Sequence, residues 1–597
     1  MDSVVTLRMK RDAMRRTLAI VAMGVCMSFA VAGHAADAAW KLKFQTVSDE
    51  YLDSVYFHYS PTSGTLAGYH QYDTQLENYA RKNIDAEIVA LKDFEKRVEA
   101  VPAGELDQTT RGDREIVLGN IRSALLTLET IRPWEQNADN YSSTCANAAF
   151  TLMERKFASP DERLRSLIAR EMQMPGLLTN ARANLKNPPH IFTEIAIEQL
   201  PGIVSFFEHD VPLAFSDAKD PVLKVEFART NAAVIAELNS YLGWLKTDLL
   251  AKSNGDFRIG AETFSKKLQY DEMVGLPLDK LLEIGWANMR ANQEHFKQVA
   301  AELEPAKTPA EVLEQLGGNH PAPDKLMDAF RATFDGLVGF IRSHHIVTIP
   351  SDVRPILEET PPFMRAITTA SMDTPGPFET HATEAYFNVT LPDPKMTPAE
   401  VEGYMHGFNV GTVVSTAVHE TYPGHYIQFL WVPQAPSRVR KLLGANTNVE
   451  GWAHYTEQMM LDEGYGQPGT GAKDARESKF LRLGQLQDAL LRNARFIVGI
   501  QMHTGKMNVE EAEAFFQKEG YQSKENAVVE TKRGASDPTY LYYTLGKLEI
   551  MKLLEDMKKK QGAAFSLEKF HNDFLRQGFP PVKIVREAML GDGSPAL

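Results

Sequence analysis

The chain has 597 residues, 43% hydrophobic and 24% charged, with a formal net charge of −14. That is the composition of a globular protein long enough to bury more than one core. An acidic chain with no long basic cluster is a poor partner for nucleic acid or for anionic membrane surfaces.

The first element is a targeting signal. Arg8, Lys10, Arg11, Arg15 and Arg16 precede an almost unbroken apolar run from Thr17 to Ala32, and Gly33-His34-Ala35-Ala36 offers small residues for cleavage. This order predicts a secretory signal peptide over residues 1–35; the run is short for a membrane span and lacks a stop-transfer flank. A retained N-terminal anchor is the alternative. The expected location is periplasmic or secreted, with no stable membrane insertion after cleavage. Cys26 follows Met23-Gly24-Val25, a poor match to the small-residue box of a bacterial lipoprotein. Cleavage leaves Cys145 as the only cysteine, so no internal disulfide and no cysteine-rich metal site can form. It also removes five basic and two acidic groups, which takes the net charge to −17.

Helical signals dominate the rest. Ile84, Ile88, Leu91, Phe94 and Val98 recur every three or four residues, as do Ile121, Leu125, Leu128 and Ile131, the stripe of an amphipathic helix. Capping boxes open helices at Ser159–Glu162, Thr308–Glu311, Thr397–Glu400 and Asn508–Glu511. Strand-like alternation is best at Tyr386–Leu391, where an exposed edge is expected to pair with an extended peptide backbone. Joints rich in proline at Asn187-Pro188-Pro189 and Thr360-Pro361-Pro362 suggest a helical N-terminal lobe over residues 36–345 and a catalytic lobe over 346–597. The expected fold is mainly α: large, helical and two-lobed, with a small β element flanking the active-site cleft.

The chemistry concentrates in His419-Glu420-Thr421-Tyr422-Pro423-Gly424-His425. A zinc peptidase needs two imidazoles on the ion, an adjacent carboxylate to take a proton from water, and a third ligand from elsewhere. The usual histidines lie four apart on one helical face. Here they lie six apart, which on an unbroken helix leaves them about 120° apart around the axis. A bulged turn at Pro423-Gly424 is therefore expected to re-aim His425. Downstream, Glu450, His454 and Glu457 share one helical face at i, i+4 and i+7. Glu450 is the candidate third ligand; His454 or Glu457 would orient a ligand imidazole.

The segments His419–Gln428, Glu450–Glu457 and Asp537–Gly546 closely resemble the bacterial "domain of unknown function 885" family, over most of residues 45 to 590. That family is grouped with zinc peptidases having an HExxH-type helix. Tyr426 stands where the family often carries a further histidine, and His454 where it is usually apolar. The resemblance implies that Tyr543, at the family's Tyr-x-x-Gly position, donates to the oxyanion, with Tyr540 in reserve. Arg533 would assist or bind a substrate carboxylate.

The expected activity is that of an exported zinc-dependent metallopeptidase cleaving oligopeptides. Zn²⁺ would sit on His419, His425 and Glu450, with Glu420 as general base. Two alternatives stay open: a zinc amide or ester hydrolase that is not a peptidase, and a non-catalytic exported binding protein on a peptidase scaffold.

Overall fold

A computed structural model describes residues 38–361, 364–365 and 368–597. The signal peptide and Cys26 lie outside the described residues. The protein is mainly α, as the periodicity requires. All four capping boxes form, each with both reciprocal hydrogen bonds. The stripe in helix Arg81–Glu99 turns Ile84, Leu91, Phe94 and Val98 into the interior, each contributing roughly 1.5–3 kcal/mol by leaving water. Cys145 is a buried free thiol.

The elements that position the site are, in chain order, helices α1 (Leu278–Leu303) and α2 (Leu326–Ser343), strands β1 (Ile356–Glu359), β2 (Ala370–Asp373) and β3 (Tyr386–Val389), then helices α3 (Pro398–Met405), α4 (Val410–Glu420), α5 (His425–Trp431), α6 (Asn446–Asp462), α7 (Ala475–His503), α8 (Lys524–Ser536) and α9 (Tyr542–Gln561). α1 runs along α7, and the two share a core with later segments up to Tyr543. α2 packs on α4 and closes a second core, in which Phe330 and Phe334 meet the Phe387 ring at 5.2 and 6.2 Å. Among the described residues no helix is long and apolar enough to cross a membrane.

The sheet corrects one expectation. β3 is the central strand, parallel to β1 and antiparallel to β2. Its edges are therefore both occupied, and no peptide can add to it. Phe387, Asn388 and Val389 are buried in succession, the pattern of a strand covered on both faces. Sequence alternation alone does not distinguish centre from edge.

Two helix crossings are tight enough to demand glycine. A Cβ on Gly411 of α4 would stand 2.3 Å from the Phe480 carbonyl oxygen of α7. A Cβ on Gly546 of α9 would stand 1.9 Å from the Thr447 carbonyl oxygen of α6, and one on Gly451 would meet Gly546 at 2.6 Å. Backbone-to-backbone contact at these points fixes α4, α6, α7 and α9 around one small volume.

Candidate metal centre

α4 starts from Asn409, whose side-chain oxygen accepts from the Gly411 and Thr412 amides at 3.0 and 3.1 Å. It ends at Glu420. The expected bulge is a full break: residues 421–424 are non-helical, the Tyr422–Pro423 bond is cis, and α5 begins at His425. Gly424 folds back so that its amide donates to the Val418 carbonyl at 3.0 Å. A Cβ there would lie 1.8 Å from the His419 carbonyl oxygen, which no side chain can satisfy. Trp452, fully buried on α6, donates its indole N–H to the Pro423 carbonyl at 3.0 Å. The turn is thereby tied to the helix that carries Glu450.

The break brings the two imidazoles together. Their rings meet edge to face at 84°, centroids 4.8 Å apart. Glu450 Oε2 lies 3.3 Å from His419 Nε2 and 3.4 Å from His425 Nε2. That oxygen is buried yet has no partner in hydrogen-bond geometry, an expensive arrangement for a carboxylate. A tetrahedral zinc site with bonds of about 2.0–2.2 Å has ligand-to-ligand edges of about 3.3–3.6 Å, so both measured separations fit. Two imidazole nitrogens and one carboxylate oxygen are the donor set of a zinc site that keeps a fourth position open.

Charge and bracing agree. His419 Nδ1–H donates to Glu457 Oε1 at 2.7 Å, which leaves Nε2 as the nitrogen that faces Glu450. The other oxygen of Glu457 accepts from His454 Nδ1–H at 3.0 Å, and Arg492 pairs with Glu457 at 3.2 Å. Burial opposes the Glu457 charge, but Arg492, His454 and His419 hold its carboxyl well below the usual range. Burial pushes His454 down to about 3, so it stays neutral behind Glu457. Of the two candidates for orienting an imidazole, Glu457 makes the contact with His419. His425 differs: its buried Nδ1 has no hydrogen-bond partner.

The remaining candidates divide. Glu420 ends α4 beside His419, buried, with no ion pair or side-chain hydrogen bond among the described residues. The Tyr543 ring lies 6.3 Å from the His419 ring, and its hydroxyl accepts from Arg533 Nη2 at 2.8 Å. Because the guanidinium occupies an oxygen lone pair, the phenolic O–H remains free to donate. Tyr540 is fully buried, its ring packed against Gly499 and Gly534 between α7 and α8, with an unpartnered hydroxyl.

Sequence reading missed Arg492 and Arg495. Their signal is two arginines, with Asn493 between them, interrupting the otherwise apolar stretch Ala489–Ile500, since charges on a buried helix face need partners. It also missed a second group, His320, Glu402 and His406. There Glu402 Oε1 lies 3.2 Å from His320 Nε2 and 3.6 Å from His406 Nε2. Nothing near Asn319-His320-Pro321 marks it in advance.

Fold and site define a large α-helical protein with a buried His/His/Glu cluster at a helix break. A family model described as "bacterial protein of unknown function (DUF885)" matches residues 61–589, and the chain belongs to that family. It is similar to a solved candidate lipoprotein of unknown function from Shewanella oneidensis, at 26% identity and TM-score 0.75, over 92% of this chain and 99% of that one. A second candidate lipoprotein, from Colwellia psychrerythraea, shares the fold at 17% identity and TM-score 0.76, with the same coverage. No curated protein matches.

Proposed function

We propose that the protein is an exported zinc-dependent peptidase acting on oligopeptides, with Zn²⁺ held by His419, His425 and Glu450. The observation that carries this reading is the convergence of His419 Nε2 and His425 Nε2 on an otherwise unpartnered Glu450 Oε2. Bound zinc supplies Lewis acidity and lowers the pKa of water at the open position. Glu420, unpaired and adjacent to His419, takes the proton from the attacking water and delivers it to the leaving amine nitrogen. Water oxygen bonds to the carbonyl carbon as the C–N bond breaks, so the products are one carboxylic acid and one amine. Tyr543 donates its free O–H to the carbonyl oxygen as negative charge develops there, the point where a fixed donor lowers the barrier most. Glu457 and Arg492 hold the His419 ring and tautomer in place. Export is supported by the basic, apolar, small-residue order of residues 8–36. Both solved relatives are themselves described as candidate lipoproteins.

The test is Glu420→Gln assayed on short peptides beside simple amide and ester substrates. The variant should retain zinc by elemental analysis and lose peptide hydrolysis on the order of 1,000-fold or more. Wild-type turnover in Glu420→Gln would exclude the scheme. Turnover confined to esters or simple amides would reassign the substrate.

A further inference from the structure

Three guanidinium groups surround Tyr543, at 5.6 Å (Arg492), 4.9 Å (Arg495) and 5.7 Å (Arg533) from its ring centroid. Two are neutralised. Arg492 pairs with Glu457, and Arg495 forms a buried two-point pair with Glu530 at 2.6 and 2.8 Å. Arg533 has no ion pair among the described residues; its one side-chain hydrogen bond goes to the Tyr543 hydroxyl. Glu530 and Asp537 lie near enough to favour its charge, but neither forms an ion pair with it; Asp537 accepts from the Tyr542 hydroxyl at 2.7 Å. Arg533 is half-buried, and none of its nitrogens is both enclosed and unpartnered. Its free N–H groups therefore open to solvent beside the phenol.

A half-buried arginine with no carboxylate on its fork can still take one. Its planar fork matches a carboxylate. Position then selects which carboxylate. The guanidinium touches the phenol that faces His419, so the two oxygens they receive lie only a few ångströms apart. That is about the reach of one residue, 3.8 Å between successive Cα atoms. A peptide whose scissile carbonyl meets Tyr543 thus offers the α-carboxylate of the very next residue to Arg533.

We infer that Arg533 binds the free C-terminal carboxylate of a peptide substrate, making the protein a carboxypeptidase that releases one residue at a time. This rests on the zinc-peptidase reading. The bond broken is the last peptide C–N; water gives its oxygen to the penultimate carbonyl carbon and a proton to the released amine. Arg533 is a specificity residue, and Tyr543 remains the donor to the carbonyl oxygen.

The test compares one peptide as free acid and as C-terminal amide on the zinc-loaded mature chain. Wild type should favour the acid in kcat/KM on the order of 100-fold, releasing single C-terminal residues. Arg533→Gln should lose that preference: both peptides slow because the Tyr543 hydroxyl loses its partner, and the acid falls on the order of 100-fold further than the amide. Arg533→Lys, a point charge without the fork, should fall between. Tyr543→Phe should slow acid and amide alike and leave their ratio intact. Equal cleavage of both peptides by wild type, or internal cleavage, overturns the proposal while leaving a peptidase. If wild type cleaves nothing, the peptidase reading fails. Arg533 is then judged by calorimetric titration of acid and amide peptides into Glu420→Gln and Glu420→Gln/Arg533→Gln. Equal affinity for acid and amide in Glu420→Gln overturns it; tighter acid binding lost with Arg533→Gln supports it.

Discussion

The described residues contain two His/His/Glu clusters with nearly the same local geometry. In each, one carboxylate oxygen lies between 3.2 and 3.6 Å from two imidazole Nε2 atoms. They differ in what surrounds them. The His419 side chain is 6% exposed and Glu450 22%, whereas Glu402 is 60% exposed. His419 is braced by a buried carboxylate that is itself held by Arg492 and His454. His320 is braced only by its neighbour's backbone, Nδ1–H donating to the Pro321 carbonyl at 2.8 Å. Three donors in proximity do not make a metal centre. What distinguishes the first cluster is that His419 is fixed by a buried hydrogen-bond network and that one carboxylate oxygen is left unsatisfied. The second joins the loop before α2 to α3 through an exposed carboxylate.

Removing the carboxylate gives the largest contrast. Glu450→Gln should take zinc content from one ion per chain to none after dialysis, and abolish hydrolysis with it. Glu402→Gln should leave both unchanged. Elemental analysis of the two variants decides; loss of an ion on Glu402→Gln would make the clusters equivalent. The glycines behind the second histidines come next. Gly424→Ala drives a Cβ into backbone oxygens at 1.8 and 2.4 Å, which cannot yield without unmaking the turn. It should cost roughly 3 kcal/mol or more in denaturant unfolding. Gly317→Ala meets only the His406 side chain, at 2.8 Å. A partly exposed imidazole can swing away, so the cost should stay below about 1 kcal/mol. A smaller effect is expected from the brace. Glu457→Gln should weaken zinc binding about 10–100-fold in competition with a chelator dye; unchanged affinity would mean that bracing is not what separates the clusters.

These contrasts also show what sequence could and could not reveal. Capping boxes such as Thr397–Glu400 are local, and every one forms. His419, Glu420 and Glu450 stood out because their chemistry needs those residue types. The meaning of Gly451, Trp452 and Gly546 did not, because it lies between helices. Gly451 and Gly546 let α6 and α9 touch, and Trp452 reaches back to Pro423. The six-residue histidine spacing signalled a departure from helix but not its form, since a bulge and a full break share one sequence pattern. The strand expected at Tyr386–Leu391 forms as β3, but its exposed edge does not, for the same reason: its neighbours β1 and β2 are set by tertiary pairing.

The helices that carry the two glutamates are held differently, and pH separates them. α3, with Glu402, starts from its own Thr397–Glu400 box, whose exposed Glu400 carboxyl is held low by the Thr397 amide and hydroxyl. Its contribution is present at neutral pH and is lost as pH falls through the folded-state value. α6, with Glu450, starts against a distant side chain. Glu272 accepts from the Asn446 and Thr447 amides at 3.2 and 2.9 Å and from the Thr447 hydroxyl at 2.7 Å. Burial nonetheless pushes Glu272 up from 4.5 to about 7, the Thr447 bonds opposing it. The folded chain therefore binds this proton more tightly than the unfolded one. The stability it contributes is fully present below about pH 4.5 and declines by about 1.4 kcal/mol per pH unit until pH passes about 7. Glu272→Gln cannot ionise, so between pH 5 and 8 its unfolding free energy should fall less steeply than that of wild type. Near pH 5 the two should differ little, since both then present a neutral group to the start of α6. Parallel pH profiles would show that Glu272 stays ionised throughout, held by the amides as firmly as Glu400 is.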